Sequence, residues 1–209
     1  MRKRAILFCI VVLCGLPLSL ATCVPGSNSK GDSISTSTAA STVSAHTTAV
    51  PGTATHSGFS LYKGEGYIVA YPENWRVTKS VNAVNFSDDS NTAEFAVQMV
   101  PNPNSAILPE QAITTELASV NKAGRNYKKL DMPSTVILNG TTWFQAGASA
   151  DMPANGRMQN GKVMTLATNY PEHAETTTLF SIVYASSAQR FDSDNRLTFL
   201  PMLQSFKFA

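Results

Sequence analysis

Apolar and polar positions follow three regimes along this chain. Residues 5–21 are almost uninterruptedly apolar. Residues 24–58 show no periodicity and no aromatic residue until Phe59. From residue 59 to the end, short apolar runs alternate with turn-forming clusters. In that last region 66–71 is a β-branched and aromatic run stopped by Pro72, which predicts a strand covered on both faces. Residues 75–79 and 84–86 predict two further strands, the second running into the turn-forming 87–91. The clearest alternation follows, with Phe95, Val97 and Met99 on one face and Glu94 and Gln98 on the other. Between Pro109 and Ala123 the period changes. Ala112, Ile113, Leu117 and Val120 fall at helical spacing, Pro109 fits a first helical turn and Gly124 a stop.

Beyond the helix, 135–138 leads into Asn139-Gly140 and then 141–145, the pattern of a hairpin with a type I′ turn. Asn160-Gly161 predicts a second such turn, between 157–159 and 162–166. Residues 176–185 predict a long strand. Leu197, Leu200, Leu203 and Phe206 keep a rough three-residue spacing after Asp192-Ser193-Asp194, which resembles a helix cap. Pro201 inside that helix removes a hydrogen bond and costs about 3 kcal/mol mid-helix, so a kink or a late start is expected. The pattern predicts an α+β domain over 59–209, an antiparallel sheet flanked by helices, without internal repeats.

The first two regimes determine where that domain is displayed. Arg2, Lys3 and Arg4 precede the apolar stretch, and Gly15 and Pro17 fall near its end, the layout of a secretory signal. Leu20-Ala21-Thr22-Cys23 then resembles the lipobox of bacterial lipoproteins, although Thr22 stands where Gly, Ala or Ser is preferred. Lipidation of Cys23 is the expected outcome. Cleavage after Ala21 by ordinary signal peptidase and retention as a single membrane span are the alternatives. Cys9 and Cys14 lie in the apolar stretch, so Cys23 stands alone in the processed chain. This excludes a disulfide framework and a thiolate metal site.

The expected organisation is a signal peptide at 1–22, the anchor cysteine with a disordered Ser/Thr-rich linker at 23–58, and the folded domain at 59–209. The linker composition cannot bury enough apolar surface to offset chain entropy. Such a coil of about 35 residues reaches roughly 30–35 Å. Removing Arg2, Lys3 and Arg4 from the sixteen basic residues leaves thirteen against fourteen acidic ones, a net −1 instead of +2. No basic block remains to suggest nucleic acid.

The landmarks of the folded part also have a familiar order. Gly66-Tyr67 leads through Tyr71-Pro72-Glu73-Asn74-Trp75 to Phe86. The alternating strand, the helix and Leu138-Asn139-Gly140 with Trp143 follow, and the chain closes on Phe199-Leu200-Pro201-Met202-Leu203-Gln204-Ser205-Phe206. This resembles the PsbP-like family, named for the extrinsic protein of photosystem II and sharing its fold with a small Ran-binding nuclear protein. The resemblance covers roughly 59–209 and implies an antiparallel sheet sandwiched by helices. Its motifs are structural, and it implies no activity.

Candidate chemistry is sparse. His173, between Glu172 and Glu175, is the one histidine of the domain and reads as a solvated loop residue before a base or metal ligand. His46 and His56 lie in the linker. Asp88-Asp89 could offer oxygens to a divalent cation, but lacks the glycine and closing glutamate of an EF-hand loop. Trp75 and Trp143 fit core packing better than an aromatic platform. No nucleophile elbow or phosphate-cradling glycine loop occurs. The expectation is a non-catalytic binding or assembly module, with no catalytic residue, cofactor or metal. It is lipid-anchored on the outer side of the cytoplasmic membrane and meets a protein partner through a sheet face or edge. The alternatives are a small-ligand or metal-binding lipoprotein with its site near His173 or Asp88 and, less favoured, an extracytoplasmic enzyme.

Overall fold

The structure is a computed structural model and describes residues 57–154 and 157–209. The signal peptide, Cys23, the linker, His46 and His56 lie outside the described residues. Among the described residues, eleven strands form two antiparallel sheets. The larger sheet contains β3 (Arg76–Lys79), β4 (Ala83–Ser87), β5 (Ala93–Pro101), β10 (Thr178–Ser187), β9 (Arg157–Tyr170), β8 (Thr141–Ala154) and β6 (Arg125–Lys129), in that order. β7 (Thr135–Leu138) pairs with the first residues of β8, so β6 and β7 share its outer edge. β1 (Phe59–Lys63), β2 (Tyr67–Pro72) and the terminal β11 (Lys207–Phe208) make a second, three-stranded sheet. The α+β expectation is met.

Strand register sorts the larger sheet into two faces, because side chains alternate along each strand. Trp143, Leu166, Ile182, Val97 and Phe86 share one face, and all are buried in a single aromatic-rich core. The small sheet and the C-terminal helical segment cover this face and contribute Tyr67, Val69, Phe199, Met202 and Phe206. On the opposite face β8 presents Ala146, Ala148 and Ala150. The helix α1 (Pro109–Ala123) packs over β8 and β9 with Ile113 and Leu117 buried. Its stop residue Gly124 sits so near Ala150 that an added Cβ would come within 3.0 Å of the alanine methyl. Alanines and a glycine are what let the helix approach so closely.

Three local expectations are corrected. Asn160-Gly161 is not a turn: β9 runs through it, with Asn160 opposite Asp151 and Gly161 opposite Ala150. The pairing of β8 with β9 continues to Ala154 opposite Arg157, and residues 155 and 156, also an Asn-Gly pair, lie outside the described residues. The C-terminal helix begins one residue before the acidic run, at Phe191. Asp192 and Asp194 instead pair with Lys162 and Arg190, at 3.0 and 3.1 Å. After α2 (Phe191–Asp194) the segment Asn195–Phe199 widens into a π-helix before α3 (Leu200–Ser205). The wider turn puts Pro201 in the first turn of α3, where its missing N–H costs little. It also shifts the apolar face: Phe199, Met202 and Leu203 are buried, while Leu197 is 61% exposed. Trp75 lies just before β3 and is only partly buried, whereas Trp143 is fully buried on β8.

Candidate functional site

Neither polar site considered from the sequence is assembled for ligand chemistry. The Asp88 carboxylate accepts hydrogen bonds from the Ser90 hydroxyl (2.8 Å), the Thr92 amide and hydroxyl (2.7 and 2.9 Å) and the Ala93 amide (3.2 Å). The Arg190 guanidinium stands 3.7 Å away. Burial pushes the Asp88 carboxyl up, but these hydrogen bonds outweigh it and hold the pKa below the usual value. The aspartate is thus committed to stabilising the turn between β4 and β5, which Arg76 also braces by donating to the Asn91 side chain. His173 lies in the loop after β9 at φ +57°, its exposed ring 3.3 Å from the equally exposed Glu172. Among the described residues no group of three or more His, Cys, Asp or Glu is placed to hold a metal ion.

A concave feature lies elsewhere among the described residues. A cleft of about 320 Å³ opens between the β7–β8 turn and the C-terminal strand, lined by Leu138, Asn139, Thr141, Trp143, Tyr170, Phe206, Lys207 and Phe208. Register explains why these residues converge. Leu138 stands opposite Thr141, and Trp143 opposite Thr168 two positions before Tyr170, so Leu138, Thr141, Trp143 and Tyr170 share the core face of the sheet. β11 brings Phe208 over them by pairing with Tyr67 on β2. Phe208 is the centre of an aromatic stack, parallel to Tyr170 at 3.7 Å between centroids and to Trp143 at 5.9 Å. Phe206 meets Trp143 edge-on at 5.4 Å. Trp143 is fully buried, while Tyr170 is 39% exposed. The aromatic layer of the core therefore runs out to the surface here.

Asn139 holds the mouth. It adopts φ +49° and is followed by Gly140 at +83°, the paired left-handed geometry of a type I′ turn. Its amide nitrogen donates to the backbone carbonyls of Gln204 (3.1 Å) and Phe206 (2.5 Å). These bonds tie the hairpin turn to the segment entering β11. The side-chain oxygen of Asn139 and the Thr141 hydroxyl are left as polar groups of the lining. Lys207 borders the cleft, but it stands opposite Ile68 in the register, so its exposed side chain lies on the face of β11 away from Phe208.

Asn139-Gly140 and Trp143 were visible in the sequence as turn and core, whereas Tyr170, Phe206, Lys207 and Phe208 were not seen as a site. The available signal was the alternation of Phe206-Lys207-Phe208 at the chain end, which fits a strand better than a fraying helix terminus.

No protein-family model matches the chain, and no curated protein matches it. Similarity appears among solved structures. LpqN, described as involved in cell envelope biogenesis of Mycobacterium tuberculosis, superposes with a TM-score of 0.48 at 12% identity, over 68% of this chain and 83% of that one. A single-residue variant of the protein Mog1 gives 0.46 at 8% identity, over 72% and 95%. PA94 of Pseudomonas aeruginosa, described as a protein of unknown function and putative regulator, gives 0.40 at 11% identity, over 70% and 94%. Among the described residues no helix is long and apolar enough to cross a membrane.

Proposed function

We propose that this chain is an exported, lipid-anchored, non-catalytic binding module of the PsbP-like kind, and that it binds its ligand in the cleft beside β11. The observation that carries the site is the aromatic stack of Trp143, Phe208 and Tyr170 reaching the surface beside uncommitted polar groups. Convergent polar groups beside aromatic side chains are one setting for a small ligand, and the surface this cleft exposes is more polar than apolar. This favours a cleft ligand over a site at His173 or Asp88. The anchor is supported by the basic N-terminal stub, the apolar stretch and the lone Cys23 after Leu20-Ala21-Thr22.

A protein partner remains the second reading, favoured by β7. That strand pairs only with β8 and carries Ile137 at 72% exposure, the kind of edge to which an extended segment can add.

Two measurements test the proposal. An intact mass of the membrane-bound product should show a chain starting at Cys23 with added diacylglyceryl mass, lost in Cys23→Ser. A chain starting at Thr22, or one retaining Met1, contradicts the anchor. For the site, Trp75→Phe leaves Trp143 as the sole tryptophan. Saturable changes in its emission with some members of a set of small polar, aromatic and saccharide compounds support the cleft. No change with any of them counts against it.

A further inference from the structure

One sheet edge is left open in a way the others are not. Edge strands present unpaired backbone groups, and proteins guard them with charge, proline, a bulge or a very short strand. Among the described residues, β3 carries Arg76 and Lys79, β1 carries Lys63, and β11 is a two-residue strand with Lys207. β6 carries Arg125, Lys128 and Lys129, and its register shifts between Arg125 and Lys128. β7 reads Thr-Val-Ile-Leu, with no charge, proline or register shift, and pairs with β8 alone. We propose that β7 is where two copies of this chain meet, strand against strand across a two-fold axis.

Register sets which backbone groups are on offer. Leu138 stands opposite Thr141 across the two-residue turn, and the Ser134 carbonyl accepts from the Gln145 amide at 2.7 Å. Residues 134, 136 and 138 therefore turn their backbone groups to β8, while Thr135 and Ile137 turn theirs outward. The Thr135 carbonyl also accepts from the Gln145 side chain at 3.4 Å, so Ile137 is the residue best placed to offer both N–H and C=O. An antiparallel pair centred on Ile137 sets it opposite its own copy, each amide donating to the other's carbonyl. The Ile137 side chain, 72% exposed in one chain, then packs against the same side chain of the second copy.

A second copy fits this edge better than a free peptide does. Four residues of pairing supply few hydrogen bonds, and a free peptide would lose its chain entropy on binding. The β7 strand of a second copy is already extended. A charged strand would find no counter-charge on β7. The contact is small beside the roughly 1,200 Å² or more of a stable interface, so the dimer is weak and reversible in solution. Two copies held on one membrane by the proposed anchor would meet at a much higher effective concentration.

The test uses the full chain in detergent with Cys9, Cys14 and Cys23 replaced by serine, and adds one cysteine at a time. Opposed residues of a hydrogen-bonded antiparallel pair lie about 5.5 Å apart at Cα, within disulfide reach. On mild oxidation Ile137→Cys should give a covalent dimer, roughly tenfold or more faster than Val81→Cys, an exposed control beside β3 at the other edge. Sedimentation of the otherwise unchanged chain should show a reversible monomer–dimer equilibrium. Ile137→Lys, which guards the edge with charge, should weaken it by roughly tenfold or more and leave Tm unchanged.

A chain that stays monomeric up to about 1 mM would overturn the proposal. So would a dimer that survives Ile137→Lys, or Val81→Cys cross-linking as fast as Ile137→Cys. Binding of the acetylated peptide Thr-Val-Ile-Leu to a chain that stays monomeric would replace the second copy with an extended peptide. The dimer contact lies on the outer edge and the face carrying Ile137, whereas the cleft lies on the core face and is read by Trp143 emission, so either can fail alone.

Discussion

Removing the side chain of Asn139 should destabilise the domain by about 2 kcal/mol, through the tie it makes and without disturbing the turn it occupies. Asn139→Gly is the informative variant, because φ +49° suits glycine and the hairpin geometry is kept. The variant loses two donors, to Gln204 and Phe206. Each such bond contributes a net ~0.5–1.5 kcal/mol, with the bond to the exposed Gln204 at the lower end. The added freedom of glycine in the unfolded chain costs about 0.5 kcal/mol more. For a domain of this size each kcal/mol lowers Tm by roughly 2–4 °C, so a fall of about 4–8 °C is expected. Urea titration at pH 7 should show a lower midpoint with unchanged slope. Asn139→Asp should cost at least as much, since it keeps the backbone tolerance but turns a carboxylate toward two carbonyl oxygens. A loss below about 0.5 kcal/mol in Asn139→Gly would refute the claim that this amide holds β11 against the hairpin.

Other consequences follow from particular groups. The Asp88 pKa is held below its usual value, so its stabilising contribution is present above the unfolded-state pKa and lost as pH falls through the folded one. Asp88→Asn should therefore be less stable at neutral pH and show a shallower loss on acidification, measured by Tm against pH. Glu116 on α1 is the opposite case. Burial raises its pKa and one carboxyl oxygen has no hydrogen-bond partner, so its charged form is disfavoured in the fold. Glu116→Gln should raise stability at pH 7, with the gain shrinking as pH falls below the folded pKa, in the same assay. Gly147→Ala would place a Cβ 2.5 Å from the Met164 sulfur, 2.9 Å from Leu130 and 3.1 Å from the Val163 carbonyl. The methionine can move and the backbone cannot, so urea denaturation should show a loss of about 1–3 kcal/mol.

The elements legible in the sequence were those with one dominant local signal. Pro109 and Gly124 bracket α1 because a missing N–H and a missing Cβ act where they stand. The Asn139-Gly140 turn is similarly local. Asn160-Gly161 carries the same local signal, and only the cross-strand pairing of β8 with β9 shows that it lies within a strand. The C-terminal helix misled for a related reason: a three-residue leucine spacing matched the α period, while the π-helix at Asn195–Phe199 rotated Leu197 out to solvent. The cleft was least legible. Its residues come from three separated stretches, and Phe208 reaches the wall only because β11 pairs with β2. Asp88 and His173 attracted notice as isolated chemistry, yet one is consumed by its turn and the other stands in solvent.

The measurement that bears most directly on the account is residue-resolved NMR of the ¹⁵N-labelled full chain in detergent, titrated with those compounds that alter Trp143 emission. The account predicts saturable shifts concentrated on Leu138, Asn139, Thr141, Trp143, Tyr170 and the 206–208 strand, with Asp88 and His173 unmoved. Shifts centred on Asp88 or His173, or confined to the outer edge of β7, would contradict it.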